Sequence, residues 1–191
     1  MARNDTQKRL LKYKGLILTV GRDTQSEEGY YVFAKKEGDI DSIRTLPMTK
    51  QGDNPYYYVW MFKGEKPVPL HKIIYAFYCN WKSLDIQPDY EVHHINHSKD
   101  MKSCSFCYNS VFNLIYLPKE EHKRLHELEA AIVRDEATDE MKQEYLKTKN
   151  KYEYIRNNMI KKQLGIDVFN KLFENYEKNF YQYVKKCLTN K

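Results

Sequence analysis

The sequence predicts an α+β protein: a β-rich N-terminal region, a central strand–loop–strand–helix unit and a C-terminal helical region. Three observations carry this. Residues 15–64 hold runs of β-branched and aromatic residues broken by Gly, Asp, Asn and Pro. A polar, histidine-bearing stretch after residue 94 lies between two short strand-like runs. Beyond residue 118 the apolar residues recur at helical spacing almost to the end.

The elements follow in order. GLILTVG, GYYVFAKK and PYYYVWMF read as strands, and the last has apolar residues on both faces, which predicts cover on both sides. In PVPLHKIIYAFYCNW, Leu70, Ile73, Ile74, Phe77 and Tyr78 repeat at helical spacing, with Pro69 suited to the first turn. YEVHH, residues 90–94, is a short strand. INHSKDMKSCSFCYNSV reads as a loop and FNLIYL as a second strand. Pro118 starts a helix whose first turn holds Glu120 and Glu121, where the helix dipole favours acids. In the next helix Met141, Tyr145, Tyr152, Ile155 and Met159 form the apolar stripe, and Gly165 ends it. Asp167 caps the last helix, whose stripe is Phe169, Phe173, Tyr176 and Phe180. These readings divide the chain into a β-rich region (1–68), a central unit with its preceding helix (69–134) and a basic helical tail (135–191).

Composition bounds the function. The 191 residues are enough for a substantial core, and no apolar run reaches the length of a membrane helix. The basic N-terminus has no long apolar segment of the secretory type, so the expected location is the cytoplasm. The four cysteines include one CxxC and do not make a disulfide framework. The net charge is +6 and unevenly spread. Residues 1–14 carry five Lys/Arg and one Asp, residues 127–141 one Arg and six acids, and residues 142–191 twelve Lys/Arg and five acids. This distribution permits a nucleic-acid partner, although solvated lysine-rich helix faces produce the same pattern.

The histidines are the most specific feature. Three of six fall in EVHHINH, at His93, His94 and His97. Two more, His122 and His126, stand four apart in EEHKRLHE, on one face of the predicted helix. A strand end packed against that helix gathers imidazoles into a compact metal site. Neighbouring strand residues point to opposite faces, so adjacent His93 and His94 suit different tasks better than they suit one ion.

The stretch HHINHSKDMKSCSFCYNSVFNLIYLPKEEHKRLH, residues 93–126, resembles the motif of HNH endonucleases, of the phage and intron homing type. The opening pair is His93–His94, the central Asn–Leu is Asn113–Leu114 and the helix histidine is His122. A looser resemblance extends upstream through YYYVWMFKGEKPVPLHKIIYAFYCNW, with His71 as that helix's histidine, so that residues 55–126 are covered. Residues 127–191 carry no such likeness.

The resemblance implies a ββα-metal fold and metal-dependent hydrolysis of a phosphodiester. It makes His93 and His122 the metal ligands and His94 the general base. Asn113 braces the loop through backbone hydrogen bonds, or else reaches the metal itself. It also places His126, Lys119, Lys123 and Arg124 toward nucleic acid, with solvated charge as the plain reading of the cations. One divalent ion is expected, Mg²⁺ or Mn²⁺, with Zn²⁺ or Ni²⁺ as further candidates. Neutral imidazole is well placed to take a proton near neutral pH.

The loop departs from the family pattern. Its CSFC supplies two of the four ligands that a structural zinc needs, and PKEE stands where a second CxxC belongs. Cys104 and Cys107 are therefore read as turn residues, the alternative being a zinc completed by His97 or Cys79. Otherwise His97 is read as a solvated loop residue that can touch DNA, and His71 as structural.

The expectation is thus an endonuclease that nicks double-stranded DNA, with no membrane association and a possible homodimer through the C-terminal helices. The alternative is a catalytically silent HNH-fold module that binds DNA or a protein and blocks host machinery.

Overall fold

The computed structural model describes residues 11–22, 29–39, 41–50, 56–79, 84, 89–97, 102 and 105–189. It is mixed α+β, with strands first and long helices last, and its strands form three small antiparallel sheets.

The first sheet joins β1 (Leu11–Tyr13), β2 (Leu16–Arg22), β3 (Tyr30–Lys36) and β4 (Arg44–Thr45) in sequence order. Lys14 and Gly15 connect β1 to β2 with φ of 46° and 78°. Two successive positive φ values make the tight turn whose twist matches its strands, and glycine takes the second without strain. Strand β1 lies outside the predicted strands, because its three residues continue the basic N-terminal stretch. Along β2 and β3 the pleat sends Leu16, Leu18 and Val20, then Tyr30, Val32 and Ala34, into the core.

The second sheet has the order β5 (Met48–Lys50), β6 (Tyr57–Val59), β7 (Val68–Pro69). Burial alternates here instead of covering both faces: Tyr57, Val59 and Met61 are buried, while Trp60 is 37% exposed and donates from Nε1 to Thr49 Oγ1 at 2.8 Å. One face suffices because the core lies on one side only, under α1 (Leu70–Tyr78). All the apolar stripe residues predicted for α1 are buried.

The third sheet pairs β8 (Tyr90–His94) with β9 (Leu114–Pro118), setting His93 opposite Ile115 and His94 opposite Leu114. Between them lie a helical turn, α2 (Ser105–Tyr108), and a 3₁₀ turn over Val111–Asn113, so part of the predicted loop is helical. Helix α3 (Lys119–Val133) follows directly, with Pro118 as its N-cap. Strand, connection, strand and helix thus occur in the predicted order.

Helix α4 (Asp139–Leu164) starts at Thr138, whose hydroxyl accepts from Met141 N at 3.3 Å. It ends at Gly165, φ 81°. Helix α5 (Ile166–Thr189) begins at once, so Asp167 lies inside its first turn and is not the cap. The left-handed glycine turns the chain so sharply that no linker remains to supply one. The α4 stripe also differs from expectation. Ile155 is 41% exposed, and the buried residues are Tyr152, Arg156 and Ile160. An arginine takes the central position because backbone carbonyls meet it there: Arg156 Nη1 donates to Phe112 O at 2.8 Å and Leu114 O at 3.2 Å.

One apolar core runs from the N-terminal sheet through α1 and Phe112 to Ile160 and Phe169 of the last two helices. A smaller cluster joins Ile115, Leu117, Leu125 and Tyr152. The ββα unit is therefore packed between the N-terminal sheets and α4. No helix among the described residues is long and apolar enough to cross a membrane.

Candidate functional site

Strand alternation separates the adjacent histidines. His93 and His94 are each 2% exposed, yet their neighbours differ. His93 meets the α3 side: its Nε2 lies 3.1 Å from Glu129 Oε1, and its ring is 4.7 Å from His126 and 5.2 Å from His122. His94 meets the opposite side. It stacks on Tyr108 at 4.0 Å with the planes 6° apart, packs edge-on against His71 at 4.9 Å, and directs Nε2 to Asn109 Oδ1 at 3.3 Å. Because a carbonyl oxygen only accepts, this bond puts the proton on Nε2 and leaves the Nδ1 lone pair available.

Asn113 braces the connection, as the resemblance implies. Its Oδ1 accepts from Asn96 N at 2.9 Å, and its Nδ2 donates to Tyr108 O at 2.9 Å and Asn96 O at 3.3 Å. Both ends of the connection are thereby tied to the start of β9. The side chain is only 1% exposed and spends its polar atoms on backbone.

His97 is not a solvated loop residue. It is half-buried, its Nδ1 lies 3.2 Å from the Tyr108 hydroxyl, and its ring is 5.1 Å from His93 and 5.6 Å from His126. The residues after β8 fold back toward α3, and this return brings His97 in. The result is a cluster of His93, His97, His126 and Glu129 in which one donor atom from each lies within 4.8 Å of the others, so it could hold a metal ion. The donor chemistry fits a cation. His97 Nε2 is buried without a hydrogen-bond partner, and such an atom costs free energy unless something binds it.

His122 stands beside this cluster and is not one of its four members. Its ring is 4.6 Å from His126, but its Nδ1 lies 2.9 Å from Glu91 Oε2. His126 is 47% exposed and pairs through Nδ1 with Glu129 Oε2 at 3.2 Å. Lys119 and Lys123 are exposed on the first turns of α3. Arg124 is engaged differently: its guanidinium grips Glu144 of α4 with two bonds, at 2.8 and 2.7 Å. Cys107 is fully buried in α2 and Cys79 is buried at the end of α1; Cys104 lies outside the described residues. Among the described residues, neither cysteine belongs to a metal-holding group.

The electrostatics favour neutral imidazoles. Burial, reinforced by Lys72 and His122, pulls the His71 pKa down to about 3. Burial, with His71 and His97 beside it, holds His94 well below the ordinary histidine range, against the opposing Asn109 bond. Burial lowers His97 to about 4 against the pull of Glu129, and lowers His122 to about 4 with His93 and His126 adding to it. For Glu129 burial acts to raise the pKa, but hydrogen bonds from His126 and His93 prevail and bring it to about 2. Near neutral pH these shifts favour the unprotonated form of His71, His94, His97 and His122 and the ionised form of Glu129.

All six histidines of the chain line a single cleft of about 220 Å³, together with Tyr56, Tyr58, Lys72, Glu91 and Val92. That volume is small for a drug-sized ligand and suits a compact charged group. The sequence pointed to His93, His94, Asn113, His122 and His126. It did not single out Glu129, Asn109, Tyr108 or Lys72. Glu129 is three residues after His126, on the same helix face, and that spacing was available as a clue. Asn109 and Tyr108 lie in a connection with no periodicity to read.

No protein-family profile, curated protein or solved structure matches the chain.

Proposed function

We propose that this protein is a metal-dependent endonuclease of the HNH type that hydrolyses DNA phosphodiester bonds, one strand at a time. The observation that carries the reading is the gathering of all six histidines at one cleft of a β8–β9–α3 unit, with His93 and His94 turned to opposite sides. The motif resemblance adds to it.

The residues present divide the work. His93, His97, His126 and Glu129 would hold a divalent ion, which when bound supplies positive charge for a phosphate oxygen. His94 takes a proton from water through Nδ1 as the water oxygen bonds to phosphorus. The P–O bond to the leaving sugar oxygen breaks, and solvent returns a proton to that oxygen. Asn109 keeps the His94 tautomer, and the Tyr108 face fixes its ring plane. Lys72 on the cleft wall, with Lys119 and Lys123 on α3, suits phosphate contacts. A single motif gives a single active site, so one protein molecule nicks one strand.

A second reading is a catalytically silent module of the same fold that holds DNA or a protein. The observation favouring it is the burial of His94 at 2% exposure beneath Tyr108. Supercoiled plasmid incubated with Mg²⁺, Mn²⁺, Zn²⁺, Co²⁺ or EDTA separates the two. The nuclease reading expects metal-dependent nicking that His94→Ala removes, with DNA binding retained. DNA binding without nicking under any metal supports the silent module instead. Nicking that survives His94→Ala assigns the proton transfer to another group.

A further inference from the structure

We propose that the ion held by this protein is a transition-metal cation of the zinc class rather than Mg²⁺, bound by His93, His97, His126 and Glu129. The proposal rests on the metal-centre part of the reading above and stands whether or not the protein cleaves DNA.

Three observations lead to it. First, the donor set is three imidazoles and one carboxylate. Magnesium takes oxygen ligands in octahedral geometry and keeps much of its water, so three nitrogens and one oxygen are a poor match. Imidazole-rich sites suit zinc, cobalt, nickel and copper. Second, the spacing is close to what a small ion needs. A four-coordinate ion about 2.1 Å from each donor sets the donors roughly 3.4 Å apart. Glu129 Oε1 stands 3.1 Å from His93 Nε2 and its Oε2 3.2 Å from His126 Nδ1, and one donor atom from each of the four residues lies within 4.8 Å of the others.

Third, the ligands are held in place and incompletely satisfied. His93 is 2% exposed, and the buried Nε2 of His97 has no hydrogen-bond partner. The Tyr108 hydroxyl at 3.2 Å from His97 Nδ1 fixes one end of that ring. A partner on the second ring nitrogen is the usual arrangement for a metal-bound histidine. Tyr145 of α4 places its hydroxyl 3.5 Å from Glu129 Oε1, which steadies the carboxylate from a second helix.

The test is calorimetric titration of the full-length, metal-free protein with Zn²⁺, Co²⁺ and Mg²⁺, together with the visible absorption of the Co²⁺ form. We expect Zn²⁺ and Co²⁺ to bind about 1,000-fold or more tighter than Mg²⁺, following the preference of imidazole sites. The Co²⁺ form should show the intense visible bands of four-coordination. His97→Ala and Glu129→Gln should each weaken Zn²⁺ binding by more than the roughly 10–100-fold that losing an outer partner of a metal ligand costs. Circular dichroism confirms that each variant is folded, and Glu129→Gln keeps the side chain's size. Comparable Mg²⁺ and Zn²⁺ affinities overturn the proposal. So does unchanged Zn²⁺ binding in both variants alongside its loss in His122→Ala, which assigns the ion to His93 and His122. Tight Zn²⁺ binding by a protein that never nicks DNA leaves the site standing and removes the nuclease reading.

Discussion

His71 shows how one residue's surroundings set its behaviour. It is 9% exposed, packed against Tyr56 and His94, and its Nδ1 is buried without a partner. Burial, Lys72 and His122 lower its pKa from 6.5 to about 3. The sign follows from linkage. The unfolded chain takes the proton first as pH falls, so the folded state is favoured fully above pH 6.5 and loses that advantage progressively toward pH 3. Replacing His71 with Phe keeps a ring of similar shape and removes the titration. Urea melts across this range should show a shallower loss of stability for His71→Phe than for the parent protein. Parallel curves would mean that His71 does not titrate in this window. The Asn113 side chain acts in a different way: its three backbone bonds tie residues 96 and 108 to the start of β9, which is why an asparagine stands there.

At the scale of the element, α4 is a support for the ββα unit. Arg156 reaches the carbonyls of Phe112 and Leu114, the residues on either side of Asn113. Tyr152 donates to Glu121 at 2.8 Å, and Arg124 of α3 holds Glu144. A buried guanidinium bonded to carbonyl and amide oxygens is costly to desolvate, and burial lowers its pKa against the pull of Glu153. The bonds it makes therefore matter more than its charge. Arg156→Met should destabilise the protein by about 2–3 kcal/mol, the cost of leaving two buried carbonyls without a donor. Arg156→Lys should recover part of this, as read from chemical denaturation. A loss of less than about 0.5 kcal/mol, the level of an ordinary surface substitution, would show that water replaces the guanidinium at no cost.

At the scale of the whole molecule, the basic tail divides into two populations. Arg156 is buried, Lys151 is paired with Glu121, Lys149 lies near Glu153, and Lys161 sits over the Phe169 ring. Lys147, Lys162, Lys171 and Lys178 are exposed on α4 and α5. Counterion release makes DNA affinity fall with salt in proportion to the phosphates neutralised. On the proposed nuclease reading, converting these four to Ala should weaken DNA binding and reduce the salt dependence, by roughly 0.9 in slope for each phosphate no longer neutralised. Fluorescence anisotropy across a salt series measures this. An unchanged slope would make the tail a packing or self-association element, and would leave phosphate binding to the cleft and the start of α3.

The α+β class, the order of the central unit, the α1 stripe and the gathering of His93 with the helix histidines were legible in the sequence alone. Each follows from a local rule: a strand alternates, a helix repeats, and proline or glycine marks an end. The sequence also separated His93 from His94, because alternation needs no knowledge of what lies on either face. What those faces meet was decided only in three dimensions. Glu129 completes the histidine cluster because α3 lies against β8, and His97 joins it because the chain after β8 turns back. Arg156 replaces the expected apolar contact because the carbonyls beside Asn113 await a donor. Trp60 remains exposed because the core lies on one side of its sheet. Apart from the i+3 step from His126 to Glu129, the deciding partners are distant in sequence, so no local period or spacing encodes the contact.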